Sequence, residues 1–292
     1  KEFMKNYSPL RYPGGKTQLY QYIKELVKIN EATTYIEPFM GGMGVAIKLL
    51  INNEVEKIMV NDYDKAIYAF WHSVLHYPEE LIALIKTTPI TIEEWQKQRD
   101  IQRDKDNCTD LLQLGFSTLF LNRTNRSGIL KAGVMGGVKQ NGNYKLDCRF
   151  NKDKIIEKVK LISSLKSKIK LYNMDAEEFI KLNITKTKNS LTFFDPPYFV
   201  KGSSLYPSFY KKENHIDLSN AIKKYLKNKK WILTYDVVPE IYELYNEFRN
   251  KKYYLNYSVS KPNQGVEYMF YSNKIIIPDE TENLKEALIN DK

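Results

Sequence analysis

A chain of 292 residues can bury a full core, either as one large domain or as one domain carrying an insert. Hydrophobic residues are 42% and charged residues 27%, with no apolar run of about 18 residues and no charged-then-apolar leader, so neither a membrane span nor a secretory signal is expected. Two cysteines, Cys108 and Cys148, and three histidines exclude a disulfide framework and match no zinc spacing, which points to a cytoplasmic protein without a metal. The formal net charge of +10 permits a polyanionic partner. Its placement says more than its size. Between Leu111 and Arg149, Arg123, Arg126, Lys131, Lys139, Lys145 and Arg149 face one acid, Asp147, and five of the seven arginines lie from Arg99 to Arg149. Arginine reads guanine edges and clamps phosphates bidentately, so this stretch reads as a nucleic-acid face.

In chain order, Lys1–Phe3 ahead of Met4 read as an addition before the natural start. Arg11-Tyr12-Pro13-Gly14-Gly15-Lys16-Thr17 suggests a phosphate loop, but Leu10 stands where the first glycine belongs and no strand precedes it. Lys16 on this turn could instead neutralise a carboxylate of a bound cofactor. Thr34–Ile36 form a predicted strand that runs into Glu37-Pro38-Phe39-Met40-Gly41-Gly42-Met43-Gly44 and then a helix. Glycines there let a ligand approach the backbone and the helix N-terminal amides. The spacing is not G-x-G-x-x-G, which disfavours a nicotinamide cofactor. A second strand at Lys57–Val60 places Asp62 about 20 residues on, where a carboxylate accepts the ribose hydroxyls of an adenosine cofactor or, alternatively, caps the next helix.

From residue 69 to 165 the strand-helix alternation stops. Helical patterns cover Asp64 to Lys86, a stretch from Thr91 with Glu94 as a capping box, and Thr109 to Leu121. Gly128 to Phe150 is turn-rich, with Asn141-Gly142 predicting a β-hairpin, and Asn151 caps a helix through Lys168. The segment therefore reads as an insert, 69–165, between core segments 4–68 and 166–278. Alternation resumes with a strand at Ile169–Tyr172, after which Asp175 could receive an adenine amine or cap a helix.

Leu191–Phe194 is a predicted strand delivering Asp195-Pro196-Pro197-Tyr198. Ligands of open α/β sheets bind beyond the carboxyl ends of strands. There Asp195 and the Pro196 carbonyl can each accept a hydrogen bond from an exocyclic amine, which favours the positive charge that nitrogen gains during methyl transfer. Tyr198 offers a flat face for a base. Phe199 to Lys212, with Gly202-Ser203-Ser204, reads as a lid, while His215, Asp236, Phe209-Tyr210 and Tyr253-Tyr254 read as structural. A last parallel strand at Trp231–Thr234 precedes a closing antiparallel hairpin of Tyr253–Ser260 and Glu267–Ser272. Asp279–Lys292 reads as a charged helix or frayed tail. The whole is an α/β chain with a Rossmann-like doubly wound sheet, a C-terminal antiparallel hairpin and a mostly helical insert.

Tyr12-Pro13-Gly14-Gly15-Lys16, Glu37-Pro38-Phe39-x-Gly41-Gly42, Asn61-Asp62 and Asp195-Pro196-Pro197-Tyr198, in this order, resemble the D12-class, Dam-type adenine-specific DNA methyltransferases. The resemblance runs from Leu10 to Asn273. It implies a core that binds S-adenosylmethionine and a helical target-recognition domain inserted after the second strand. On that resemblance Tyr12, Lys16, Glu37, Asp62 and Asp195, with Pro38, Phe39, Gly41, Gly42, Gly44 and Asp175 from the strand ends, line the cofactor side. Asp195, Pro196, Pro197 and Tyr198 hold a flipped adenine. Phe120-Leu121-Asn122-Arg123-Thr124 is similar to the start of the family's DNA-reading segment, but Val134–Gln140 departs from the pattern of GATC-directed members. Asn122, Arg123, Asn125, Arg126 and Ser127 are the expected base readers and Lys139 and Lys145 the phosphate contacts. The expected partner is double-stranded DNA, alongside a cognate restriction endonuclease, with the enzyme acting as a monomer in a bacterial or phage context. Three alternatives stay open: an RNA or protein amide-nitrogen methyltransferase, methylation of cytosine N4, and a DNA-binding regulator on an inactive methyltransferase fold.

Overall fold

The apolar runs that alternate with helical patterns become the strands of one sheet. This computed structural model describes residues 6–12, 16–200, 210–257, 263–279 and 282–286. The strands are β1 Thr34–Glu37, β2 Lys57–Asn61, β3 Ile169–Tyr172, β4 Ser190–Phe194, β5 Lys230–Asp236, β6 Arg249–Tyr257 and β7 Asn263–Tyr271. Their spatial order is β3-β2-β1-β4-β5-β7-β6. The first five run parallel, and β7 is antiparallel to both β5 and β6. Every residue of β1 and of β4 is buried, as expected of central parallel strands covered on both faces. β1 pairs with β2 through Tyr35↔Ile58 and with β4 through Tyr35↔Leu191. The chain therefore leaves β1 toward β2 and β3, and returns to its other side at β4. That reversal opens a crevice at the carboxyl ends of β1 and β4, where Glu37 and Asp195 lie.

The helices follow their apolar periodicity. In α1, Tyr20–Ile29, the stripe Tyr22, Ile23, Leu26 and Val27 is buried. α2, Gly44–Ile51, is apolar nearly all round and sits against the sheet. The helix expected from Asp64 to Lys86 is two helices, α3 Lys65–His76 and α4 Pro78–Thr87. Pro78 cannot donate into a continuing helix and its ring clashes with the preceding turn, so it starts α4 instead. Thr91 caps α5, Ile92–Arg103, accepting from Glu94 N at 3.2 Å. α6 is Leu111–Thr124 and α7 Lys152–Ser163, shorter than the span to Lys168, which closes with a 3₁₀ turn. α8 is Ala176–Leu182, α9 Lys212–Tyr225 and α10 Pro239–Tyr245.

Two expectations are corrected here. No β-hairpin forms at Asn141-Gly142: residues 126–151 are all described and contain only an isolated bridge, Asn125↔Val134. Gly136 and Gly137 take φ of +80° and +72°, and the Gln140 amide donates to Met135 O and Gly137 O at 2.7 Å while its oxygen accepts from Leu146 N. Those bonds satisfy the backbone inside turns, so no ladder is needed. The second concerns the tail. Its described part, 282–286, is a turn ending in a bridge rather than a helix: Tyr254 N donates to Lys285 O at 2.8 Å, Glu286 bridges Tyr253, and Leu284 is buried. Of the expected lid, 201–209 lie outside the described residues, as do Lys1–Phe3.

The boundary expected at residue 69 falls inside α3, and one apolar cluster runs through it. Phe70, Trp71, Phe120 and Phe150 pack in the same body of side chains as Tyr7, Leu10, Met40 and Tyr35. Each such side chain contributes about 1.5–3 kcal/mol by its removal from water.

Candidate active site

The crevice at the strand reversal is a cavity lined by Tyr12, Lys16, Glu37, Phe39, Gly42, Gly44, Asp62, Asp64, Asp195 and Pro197, with Asn6, Ser8 and Thr17 on its N-terminal side. Of the expected cofactor residues, Pro38 and Gly41 shape the loop behind that surface. Gly41 has φ +44°, and a Cβ there would lie 2.6 Å from the Tyr12 ring, so the loop needs glycine on both counts. Trp71 of α3 anchors the same loop by donating from Nε1 to Gly41 O at 2.8 Å. Asp62 follows β2, accepting from Gly41 N at 3.1 Å and Asp64 N at 2.9 Å. It does not cap the helix; Asp64 does, accepting from Ala66 N and pairing with Lys105 at 3.0 Å. Asp175 is exposed and caps α8 through Glu177 N, outside the cavity lining. Asn61, which sequence reasoning passed over as a working residue, joins three strand ends. Its amide donates to Pro38 O and Met174 O, and its oxygen accepts from Met174 N.

The donor set decides what can bind. Four carboxyl groups, Glu37, Asp62, Asp64 and Asp195, face this space with Lys16 as the one cation among the lining residues. Burial pushes Glu37 up to about 8, with the charge of Asp195 adding to it, and pushes Asp62 up to about 7, with Asp64 adding. Such a wall offers phosphates no free cation among its lining residues, since Lys16 is held by Asp195. It suits a ligand with hydroxyls to donate and positive charge to offer, which is the chemistry of S-adenosylmethionine, with its ribose, ammonium and sulfonium.

Asp195 stands just beyond β4. Its Oδ1 lies 3.1 Å from Lys16 Nζ and accepts from Thr234 Oγ1 at 3.0 Å. Burial raises its pKa; Lys16 pulls the other way and Glu267 adds to the rise. Pro196 is buried and Pro197 lines the cavity. Tyr198 is 4% exposed: its hydroxyl donates to Glu267 Oε1 at 2.5 Å and accepts from Lys16 at 3.2 Å, while the ammonium lies over one ring face. The loop end is fixed by Asp236, which accepts from Phe199 N at 2.8 Å and Val200 N at 3.1 Å. Lys16 is thus shared between two protein carboxylates. His215 packs among Phe199, Tyr210 and Tyr235, with Nδ1 2.6 Å from the Tyr235 hydroxyl, and burial lowers it to about 4.

The expected base readers divide sharply. Asn122 is 3% and Asn125 1% exposed. Asn122 binds the Arg11 backbone and Gly128 O, and Asn125 accepts from Trp95 Nε1 and donates to Ile129 O and Leu130 O. Arg123 donates to Pro9 O and to Arg149 O, and burial together with Arg11 lowers it to about 10. In this structure these three side chains hold the segment in shape, Asn122 and Asn125 buried and Arg123 half-buried. Arg126 is exposed, Ser127 turns the chain at φ +56°, and Lys139 and Lys145 are exposed. Beside them Arg11, Arg123, Arg149 and Lys158 gather. Burial, with Arg123 and Lys154 adding, lowers Lys158 to about 8, and Arg11 Nη1 is buried with no hydrogen-bond partner among the described residues.

Comparison with known proteins identifies a family and relatives. The family described as D12 class N6 adenine-specific DNA methyltransferase matches residues 12–259. Type II methyltransferase M.MjaIII of Methanocaldococcus jannaschii is 24% identical over 237 residues, 75% of this chain and 78% of that protein. Type II methyltransferase M.CviBI of Paramecium bursaria Chlorella virus NC1A is 23% identical over 256 residues, 85% of this chain and 90% of that one. A solved structure, described as a putative RNA methyltransferase PH1948 from Pyrococcus horikoshii, aligns with a TM-score of 0.42 at 11% identity, covering 91% of this chain and 87% of that chain.

Proposed function

Since the chain belongs to the D12 class of N6 adenine-specific DNA methyltransferases, we propose that it moves the methyl group of S-adenosylmethionine to N6 of an adenine flipped out of duplex DNA at a short fixed site. The observation that carries this reading is Asp195, delivered by β4 to the floor of an acid-lined cavity and held there by Lys16 and Thr234. When bound, S-adenosylmethionine supplies a methyl group already activated on a sulfonium. The protein therefore needs to position, desolvate and stabilise charge, and needs no nucleophile of its own. Asp62 would accept ribose hydroxyls, and Glu37 and Phe39, which line the same cavity, would hold the rest of the cofactor. Asp195 and the Pro196 carbonyl take the two amine hydrogens of the target base, which aims the nitrogen lone pair and favours its developing charge. The base stacks on the face of Tyr198 opposite Lys16. That ring is nearly covered in the structure, so entry of a base displaces what lies over it.

DNA lies across the basic side of the segment 69–165. Arg126 and Ser127 meet base edges, while Lys139, Lys145 and the Arg11–Arg149 cluster meet phosphates. The Type II designation of both relatives supports a defined recognition site and a cognate endonuclease. Among the described residues no helix is long and apolar enough to cross a membrane, and we place the enzyme in the cytoplasm as a monomer that modifies one strand at a time.

The test is incubation of the protein with unmethylated genomic DNA and methyl-labelled S-adenosylmethionine, followed by mapping of modified bases. N6-methyladenine confined to one short motif is the expected result. Label absent from DNA, with the cofactor still bound, would overturn the choice of substrate.

A further inference from the structure

We propose that Glu267, on the antiparallel strand β7, is a positioning residue for methyl transfer: it offsets the charge of Lys16, so that the Lys16–Asp195 pair presents net negative charge to the incoming amine. The inference rests on the role given to Asp195 above.

Glu267 has no solvent exposure. A carboxylate so deep is costly unless it is paired and hydrogen-bonded. Tyr198 donates to its Oε1 at 2.5 Å, Tyr253 to its Oε2 at 2.7 Å, and Lys16 Nζ lies 3.5 Å from Oε2. The same ammonium is 3.1 Å from Asp195 Oδ1. Were Lys16 and Asp195 alone, they would form a neutral pair, and an amine gaining positive charge at Asp195 would also meet the ammonium behind it. With Glu267 the three charges sum to one negative, and the excess lies on the side the substrate approaches. Lys16 and Glu267 are both buried, so their charges act on Asp195 with little screening. Glu267 also holds the Tyr198 hydroxyl, so one side chain sets both the field at Asp195 and the plane of the ring two residues beyond Pro196. Its place comes from register: β7 sets Glu267 opposite Tyr253 of β6 and opposite Asp236 of β5, whose carboxylate fixes the end of the same loop.

Among the described residues, the ionisable groups around Asp195 are Lys16 from the N-terminal turn, Tyr35 and Glu37 from β1, Tyr198 from its own loop, Tyr235 from β5 and Glu267 from β7, with Tyr253 of β6 behind Glu267. Glu267 raises the Asp195 pKa, so loss of its charge must lower it. The experiment compares wild-type protein with Glu267→Gln and Glu267→Asp. The Asp195 carboxyl is followed by carbon-13 NMR, assigned through Asp195→Asn, and kcat and KM are measured against pH. In Glu267→Gln the Asp195 titration and the acidic limb of kcat shift together to lower pH, and kcat falls roughly tenfold or more. KM for DNA and for S-adenosylmethionine stays within about twofold. Glu267→Asp, which keeps the charge, leaves the titration near that of wild type and recovers part of kcat. An Asp195 titration that does not move, or a loss confined to KM, overturns the proposal. Folded wild-type protein that transfers no methyl to DNA would count against the activity itself, and the NMR titration then still decides on Glu267.

Discussion

The side chain of Asn122 grips the backbone of Arg11 from both sides: its oxygen accepts the Arg11 N–H at 2.7 Å, and its amide donates to the Arg11 carbonyl at 2.6 Å. Its amide also reaches Gly128 O at 3.0 Å, and a Cβ on Gly128 would stand 2.5 Å from Arg11 O. The basic segment is thereby fastened to the residue preceding Tyr12, which rests on the Gly41-Gly42 loop of the cavity. Asn122→Ala leaves three backbone groups without this partner and is expected to cost about 2–4 kcal/mol. Urea unfolding should show that loss, and calorimetry should show weaker binding of both DNA and S-adenosylmethionine. Weakened DNA binding alone would mean that the two sites are not joined here.

Arg123 and Arg126 should separate in the same assays. Arg123→Ala removes a guanidinium held by the Pro9 and Arg149 carbonyls and should lower the melting temperature. Arg126→Ala removes an exposed side chain and should change stability by no more than about 0.5 kcal/mol. If Arg126 meets a base edge, its loss relaxes site choice at one position by about 1–3 kcal/mol. If it meets a phosphate, the salt slope of DNA binding falls by about 1 and site choice is unchanged.

Asp195→Ala should abolish methyl transfer while DNA binding stays close to that of wild type, because the carboxylate lies in the cavity and away from the basic face. Single-turnover assays with excess enzyme test this directly, since weak binding cannot then mimic slow chemistry. Turnover near the wild-type level would remove Asp195 from the mechanism.

The raised carboxyl groups of the cavity give stability and binding opposite responses to pH. Glu37 titrates at about 8 and Asp62 at about 7 in the folded protein, well above their unfolded values. Between those limits these two groups hold more protons in the native state than in the unfolded one, so their contribution to the stability of the ligand-free protein declines as pH rises from about 4 to 8. Binding of a cationic ligand should do the reverse, strengthening as the same groups ionise. Melting curves at pH 5 and pH 8, with and without S-adenosylmethionine, check both signs. Glu37→Gln should raise the melting temperature at pH 8 and leave it nearly unchanged at pH 5.

Most of the sheet was legible because buried parallel strands are short apolar runs, and because Asp195 and Asp62 follow such runs directly. The closing hairpin was legible for the same reason, in period-2 form. What the sequence hid depends on partners distant in the chain. Glu267 sits in an ordinary alternating strand, and only the register against β6 and the packing of Tyr198 reveal that it is enclosed. Asn122 and Asn125 have the composition of base readers; their burial follows from how α6 meets Arg11 and Trp95. Asn141-Gly142 carried a hairpin signal, but no flanking apolar alternation was present to pair, and Gln140 offered the backbone closer partners. Pro78 divides the expected helix, a break masked by helical apolar patterning on both of its sides.

The apolar body that joins Phe70, Trp71 and Phe120 to Tyr7, Met40 and Tyr35 has a bearing on how recognition can change. A reading segment with its own core could be exchanged between relatives as a cassette. Here such a cut would pass through α3 and strip Gly41 of the indole that anchors it, so the catalytic loop would lose its footing along with the old specificity. New target sites are more accessible through the turns between Arg126 and Arg149, where side chains reach outward and glycines absorb insertions. On the role proposed for this segment, site choice would change through loop residues more readily than through exchange of the whole piece.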